Sequence, residues 1–377
     1  MADVRPFRGL RYDLRQIQDL SLVITPPYDV INPEQQEAYH RRHPLNIIRL
    51  EFGQDVPDDD ALDNKYTRAA RTFADWTRKG ILTRESRPAF YLIEHRFPFS
   101  GSYQSYWGLI AAVRLEPFET GRIRPTEIIM KGPAVDRVNL LRSCRANFSP
   151  IMGIFNGIGG SLLSLLPDIN SARPNFTASD DAGVTFNGWI VTDDASIERV
   201  SRFFADRTLY IADGHHRYTT ALAFREELRP ECPSEEDASN FLMMTLISSS
   251  DPGLTLLPTH RMVKGLSPQQ MARLEEGLER LFEIRELSLP LRARIPDWLR
   301  STLKECPLGI PVFGLYGRGS KDFRLLFPRD LSALRTLLPQ EKPEVWKELD
   351  VSLLHAAVFD HLLGISGAGE EKDHIEY

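Results

Sequence analysis

Cysteine is scarce. The 377 residues hold three, Cys144, Cys232 and Cys306, odd in number, far apart and without a CxxC pair. That pattern argues against a disulfide framework and a cysteine-based zinc site, and favours buried thiols in a reduced compartment. Surplus positive charge is also missing: 46 Lys and Arg face 52 Asp and Glu, a net charge of −6. Such a balance counts against a protein that coats nucleic acid. No apolar run approaches the ~20 residues that a membrane-spanning helix needs. The opening residues, MADVRPFRGLRYDL, lack the apolar centre of a signal peptide, so a cytoplasmic location is expected. The chain shows no internal repeat, Walker loop, GxSxG or HExxH, which removes the familiar signatures of P-loop NTPases, α/β-hydrolases and zinc proteases.

What is present has ordinary globular composition, 42% hydrophobic and 26% charged. The length suggests two domains or one large one with insertions. The most informative stretch is Tyr210 to Tyr218, YIADGHHRY. Residues 207–211 are short, β-branched and aromatic and read as a buried strand. Residues 219–228 are rich in helix formers. Asp213 stands at the expected N-cap and Gly214 permits a tight turn. The first helical turn then carries His215, His216 and Arg217. Free backbone N–H groups and the positive end of the helix dipole gather at such a start. A guanidinium adds a planar fork of donors for phosphate or carboxylate, and histidines titrate near neutral pH. The expectation is an anion site with acid/base groups; the competing reading is a capped helix with hydrogen-bonded histidines.

Along the chain, residues 1–57 are irregular and proline-rich, with a helix from Pro33 and a loop entering a strand at 43–50. Tyr28, Asp29, His43 and Arg49 are polar groups beside turns there, each readable as turn chemistry. Residues 58–79 predict an amphipathic helix with Leu62, Tyr66, Ala69, Phe73 and Trp76 inward, ended by Gly80. Strands at 89–94 and 105–114 flank a Ser100-Gly-Ser102 turn and predict a hairpin. After Gly132-Pro133 a helix runs to about Arg145, with Asp136 and Arg137 in its first turn; Asn147, Ser149 and Pro150 form its exit to a buried strand at 151–155. Glu127, Asp136 and Arg137 either line a site or are charges matched to the helix dipole. Residues 156–182 read as a loop, 184–191 as a strand and 194–205 as a helix. A right-handed crossover would put the strands on either side of that helix in one sheet. An acidic linker follows Pro230. Hairpins are expected at 241–261, with His260 and Arg261 leaving its second strand, and at 310–327, with Gly317-Arg-Gly-Ser320 at the turn. Helices are expected from Ser267-Pro268 and at 351–363, capped by Asp350. The fold class is α+β, with mixed sheets, hairpins and flanking helices. The predicted division is a main body over 1–230 and a smaller α+β unit over 240–377.

Several motifs together resemble one family, the bacterial and archaeal domain of unknown function 1015. They are PPYDVI at 26–31, HPLNIIRL at 43–50, Gly132-Pro133 with Asp136-Arg137, ANFSPI at 146–151, IADGHHRY at 211–218, LPTHR at 257–261 and LDVSLLH at 349–355. They span most of the chain, in family order. The resemblance implies a fold and no activity. Family members usually carry His-Glu-x-Thr before the Gly-Pro, where this chain has Thr126-Glu127-Ile128-Ile129, and lysine after it, where this chain has Ala134. Relatives also continue past the region ending at Tyr377. The Asp213–Arg217 element is similar to the phosphate-binding turn of the ParB/sulfiredoxin-like superfamily, whose members include kinases of free serine, CTP- and DNA-binding proteins and a reductase of oxidised cysteine. The reductase chemistry needs a cysteine at the turn, where His215 and His216 stand.

The leading expectation is a small-molecule phosphotransferase, acting on free serine or a similar hydroxylated metabolite with ADP or ATP and magnesium. Gly214, Arg217 and Arg137 would bind phosphate. Asp213, His215, His216 and Glu127 would do the chemistry. Tyr28, Asp29, Asp136, Asn147, His260 and Arg261 would hold the substrate in a shared pocket, with a gap in its wall where Thr126 replaces the family histidine. The alternatives are a nucleotide-binding regulator without catalysis and a phosphatase or other hydrolase using the same anion site. Metal ligands and oligomeric state are left open, and nucleic acid and membrane are not expected partners.

Overall fold

Residues 90–93, 109–113 and 241–247 are almost wholly apolar, so they demand cover on both sides. They form the middle of a nine-stranded mixed sheet. The computed structural model describes residues 2–99, 101–127, 135–157, 162–229, 234–256, 260–290, 295–307, 309–317, 322–366 and 374–376. The Gly132-Pro133 break with Ala134, the start of the acidic linker at 230–233, residues 257–259, the turn at 318–320 and most of the tail lie outside the described residues.

The chain divides into two units, Met1–Leu256 and Leu257–Tyr377. The first begins with β1 (Val4–Arg5), β2 (Leu10–Tyr12), α1 (Pro33–Arg42), α2 (Ile48–Glu51), α3 (Lys65–Arg78) and β3 (Leu82–Arg84). It continues with β4 (Phe90–Phe99), β5 (Ser102–Arg114), β6 (Ile123–Pro125), α4 (Val135–Cys144), β7 (Ile151–Phe155), β8 (Phe176–Ser179) and β9 (Thr185–Val191). Then come α5 (Asp194–Phe204), β10 (Leu209–Asp213), α6 (His215–Leu228) and β11 (Phe241–Ser248). The sheet order is β6-β10-β7-β11-β5-β4-β9-β8, with β1 pairing the far end of β5. β11 runs antiparallel to β5 and parallel to β7, and β10 runs antiparallel to β7 and parallel to β6. β9 and β10 share the sheet as the crossover argument expects, but four strands separate them.

The core joins sheet residues Phe90, Leu92, Leu109, Ile151, Phe155 and Ile211 to Val200 and Phe204 of α5 and Tyr218 of α6. Phe155, Phe203 and Phe204 meet edge to face, 4.9–5.7 Å between centroids. Tyr218 is fully buried, and its hydroxyl both donates to the Glu116 carbonyl (2.8 Å) and accepts from the Glu116 N–H (2.9 Å). That pair of bonds fixes α6 against the chain leaving β5. A second layer of side chains joins α3 to α4: Ala69, Leu140 and Cys144 pack with Tyr66 and Phe148.

Local readings shift in four places. α3 starts at Lys65 under a capping box from Asn64, not at 58, and Leu62 is 84% exposed. The stretch expected to enter a strand at 43–50 ends instead in the helical turn α2, whose cap position is Ile47, while the Asn46 side chain before it accepts from the Ile48 N–H. Residues 254–256 form no strand, and β11 pairs with β5 and β7. The division falls after residue 256, past the acidic linker, because β11 is a central strand of the first unit's sheet.

The second unit contains β12 (Met262–Val263), α7 (Pro268–Leu281), β13 (Phe282–Ser288), α8 (Ile295–Lys304), β14 (Phe313–Leu315) and β15 (Asp322–Pro328). It closes with α9 (Leu331–Arg335), α10 (Glu344–Lys347), α11 (Asp350–Leu354), a π-helical continuation over His355–Leu363 and β16 (Ile375–Glu376). β15 sits between β13 and β14, as the 310–327 hairpin anticipates. Ser267 caps α7 in a capping box with proline at the first helical position. Asp350 is the first residue of α11, whose cap position is Leu349, and Gly364 ends the π-helical turn with a φ of +68°.

Candidate functional site

β10 hands over to α6 through one residue. Gly214 has a φ of +91°, a conformation that a side chain resists, and it is the N-cap, with no side chain capping the helix. A Cβ there would lie 3.0 Å from the guanidinium of Arg217 and from Ile151. Asp213 is therefore the last strand residue and not the cap. Its carboxylate accepts from Arg217 Nη2 at 2.5 Å, one helical turn on. Arg217 Nη1 donates to the Pro150 carbonyl (3.0 Å) and approaches Ser149 Oγ (3.3 Å). The guanidinium thus ties the start of α6 to the chain entering β7.

That entering chain leaves α4 through Arg145, whose φ of +48° is the one positive value at a non-glycine among the described residues. The turn sets Asn147 and Ser149 opposite α6. Ser149 Oγ donates to Glu51 Oε1 at 2.8 Å. Glu51 is 7% exposed. Arg137 Nη1 meets the same Glu51 oxygen at 3.2 Å and the Glu51 carbonyl at 3.0 Å. Arg137 Nε donates to Asp136 Oδ2 at 2.7 Å, and Asp136 Oδ1 accepts from Tyr66 at 2.9 Å with Lys65 Nζ at 3.2 Å. The Arg137 guanidinium lies 3.8 Å over the ring of Tyr28, a cation–π contact. An unbroken chain of polar contacts therefore runs Tyr66–Asp136–Arg137–Glu51–Ser149–Arg217–Asp213.

Two adjoining clefts flank this chain. The larger, a shallow cleft of about 50 Å³ open to solvent, is bounded by Glu51, Arg137, Asn147, Ser149, Arg217 and Thr220, with an apolar wall of Leu140, Leu141, Ala146, Phe148 and Leu242. The smaller, about 10 Å³ and little more than a water's width, lies beside Phe52, Lys65, Tyr66, Asp136 and Arg137. Burial pushes the Glu51 carboxyl above the usual carboxylate range, against the pull of Arg137. Burial also acts upward on Asp136, but Arg137, Tyr66 and Lys65 outweigh it and hold that carboxyl low. Burial raises the Tyr28 phenol, and it raises the Cys144 thiol to about 12 with Glu51 adding to the effect.

Of the groups expected to share a pocket with Arg217, Arg137 and Asn147 do so, and Asp136 and Tyr28 touch it through Arg137. The others of the first unit lie elsewhere in it. Asp29 and His216 are exposed. His215 is buried, and its Nε2 accepts from the Thr126 backbone N–H at 3.1 Å. Its Nδ1 stands 3.7 Å from Glu127, whose side chain is 72% exposed. His215, Thr126 and Glu127 thus join the end of β6 to α6 and are not among the residues lining the Arg217 cleft, so Thr126 leaves no gap in its wall. His260 and Arg261 belong to the second unit, where Arg261 Nη2 lies 3.4 Å from His355 Nε2. Glu51 and Ser149 were not singled out as site residues. Glu51 follows an apolar run that reads as core, and Ser149 reads as a helix exit. The signal lay in the polar residues just after HPLNIIRL and within ANFSPI.

No curated protein and no solved structure matches the chain. The model of one family, described as Protein of unknown function (DUF1015), matches residues 4–352. That span takes in all of the first unit's sheet and every residue of the cleft, and the chain belongs to this family.

Proposed function

We propose that the cleft between α4 and α6 binds a phosphate-bearing ligand at the start of α6 and passes its phosphoryl group to a hydroxylated small molecule such as free serine. The likeness of Asp213–Arg217 to the ParB/sulfiredoxin-like phosphate turn is part of this proposal. One observation carries it: two guanidiniums and a buried carboxylate border a single cleft, and one of those guanidiniums, Arg217, stands in the first turn of a helix whose start has no side-chain cap. Backbone N–H groups and arginines suit a phosphate. A carboxylate raised by burial suits the removal of a proton from a hydroxyl. Asp213 holds Arg217 and is itself 55% exposed on its side chain. An incoming phosphate would take over Arg217, and Asp213 would then meet the magnesium that accompanies a nucleotide, an ion content with one or two protein carboxylates. The buried acid favours chemistry over a nucleotide-binding regulator, for which phosphate contacts alone suffice.

The test is thermal shift and calorimetry with ADP, ATP, CTP and inorganic phosphate, each with and without magnesium. A ligand present at a hundred times its Kd stabilises the folded chain by about 2.7 kcal/mol. The expected result is such a shift for the wild type, lost in Arg217→Ala. Equal binding by the variant, or no shift with any of the probes, overturns the reading. Product analysis with free serine separates transfer from hydrolysis.

A further inference from the structure

Ser149 occupies a position that binding alone does not need. Its hydroxyl borders the cleft and lies between two opposed groups: Glu51 Oε1 accepts its proton at 2.8 Å, and Arg217 Nη1 stands 3.3 Å from its oxygen. Arg137 Nη1 holds the same Glu51 oxygen at 3.2 Å. The next residue, Pro150, has a fixed φ, and its carbonyl accepts from Arg217. Among the described residues, Ser149 is the one serine that borders the cleft. A hydroxyl bonded to a buried carboxylate that is in turn oriented by a third group is the arrangement of an activated nucleophile. From this geometry we propose that Ser149 carries the phosphoryl group covalently, as a phosphoserine intermediate between donor and acceptor. This rests on reading the cleft as a phosphoryl-transfer site.

In the first step Ser149 Oγ attacks the terminal phosphorus of the donor. The Oγ–P bond forms, the bond from phosphorus to the donor's bridging oxygen breaks, the donor leaves one phosphate shorter, and Glu51 takes the hydroxyl proton. In the return step the acceptor hydroxyl attacks the same phosphorus and the P–Oγ bond breaks. Glu51 returns its proton to Ser149 Oγ as that bond breaks, then takes the proton of the acceptor hydroxyl and releases it to solvent. Arg217 and Arg137 stand where charge grows on the phosphoryl oxygens.

The experiment exposes the full chain to a fluorophosphonate probe and maps adducts by peptide mass spectrometry. The reaction asks of Ser149 what the first step asks: the Oγ–P bond forms, the P–F bond breaks, fluoride leaves and Glu51 takes the proton. The expected result is labelling at Ser149, abolished in Ser149→Ala and slowed at least tenfold in Glu51→Gln. Wild-type protein left unlabelled at Ser149 overturns the inference, as does Glu51→Gln labelling at the wild-type rate. If Glu51→Gln does not fold, the pH dependence of wild-type labelling takes its place. A rate that rises through one carboxyl titration above the ordinary range supports the inference, and a rate independent of pH across it overturns it. The two readings fail separately. Nucleotide binding without labelling removes the intermediate and keeps the phosphate site, whereas labelling without any phosphate binding keeps the nucleophile and removes the proposed function.

Discussion

Replacing Arg137 by methionine keeps most of its volume and removes its charge. In the wild type Arg137 is 6% exposed and Glu51 7%. The pair shares a 3.2 Å contact, supplemented by the bond to the Glu51 carbonyl, the bond to Asp136 and the ring of Tyr28. Removing one partner of a buried ion pair leaves the other uncompensated, at a cost of about 3–5 kcal/mol. The cation–π contact adds up to about 2 kcal/mol when desolvated. We therefore expect Arg137→Met to lose about 4 kcal/mol, which is much of a typical domain's stability. The loss should depend on pH in a definite direction. Glu51 is raised by burial, so the native chain binds more protons than the unfolded chain as pH climbs out of the carboxylate range. Its contribution is present at low pH and is lost as pH rises through the raised value. Without Arg137 that value climbs further, so the penalty should be large at about pH 8 and shrink toward about pH 4. The assay is urea unfolding read by hydrogen exchange of peptides from 1–256, which isolates the unit concerned. The double variant Arg137→Met/Glu51→Leu should recover most of the loss, because no buried charge is then left alone. A single-variant cost below ~1 kcal/mol, or a double variant no better than the single one, would refute the argument and make Glu51 a solvated group.

Two further outcomes are expected. Gly214→Ala forces a Cβ onto a φ of +91° and against Arg217 and Ile151, so it should cost about 1–3 kcal/mol and weaken phosphate binding together; calorimetry on a folded variant with unchanged affinity would separate the turn from the site. His95 stacks on Tyr106 and is held down to about 4 by burial; the native chain therefore binds fewer protons than the unfolded one, and stability should fall by roughly 2–3 kcal/mol as pH drops from ~6.5 through that value, a slope that denaturant titrations should find flattened in His95→Phe.

The elements that local rules describe were legible. The strand, glycine turn and helix around Asp213–Arg217 follow from propensity and from glycine's access to positive φ, and α5 and α7 follow from their caps and apolar stripes. What local rules do not contain was missed. Leu62 fits the stripe of α3 by spacing, yet a stronger cap at Asn64 starts the helix after it. Asp213 looks like a cap because aspartate often is one, yet the arginine a turn later claims its carboxylate. Glu51 and Ser149 lie 98 residues apart in sequence and 2.8 Å apart in space. Nothing in either segment announces the other, since their meeting depends on α2, α4 and β7 being assembled.

The place of β11 in the sheet has a consequence in time. It is the strand through which β7 reaches β5, so without it the sheet is two pieces: β6, β10 and β7 on one side, and β5, β4, β9, β8 and β1 on the other. A ribosome delivers those pieces first and β11 after them, near residue 248. Until then the nascent chain presents the open edges of β5 and β7, both flanked by apolar side chains, which is the condition in which strands pair with the wrong partner. Leu242 of β11 is also part of the cleft wall. The same late strand that closes the sheet therefore completes the wall of the cleft, and a chain halted before it would emerge both sticky and without that wall.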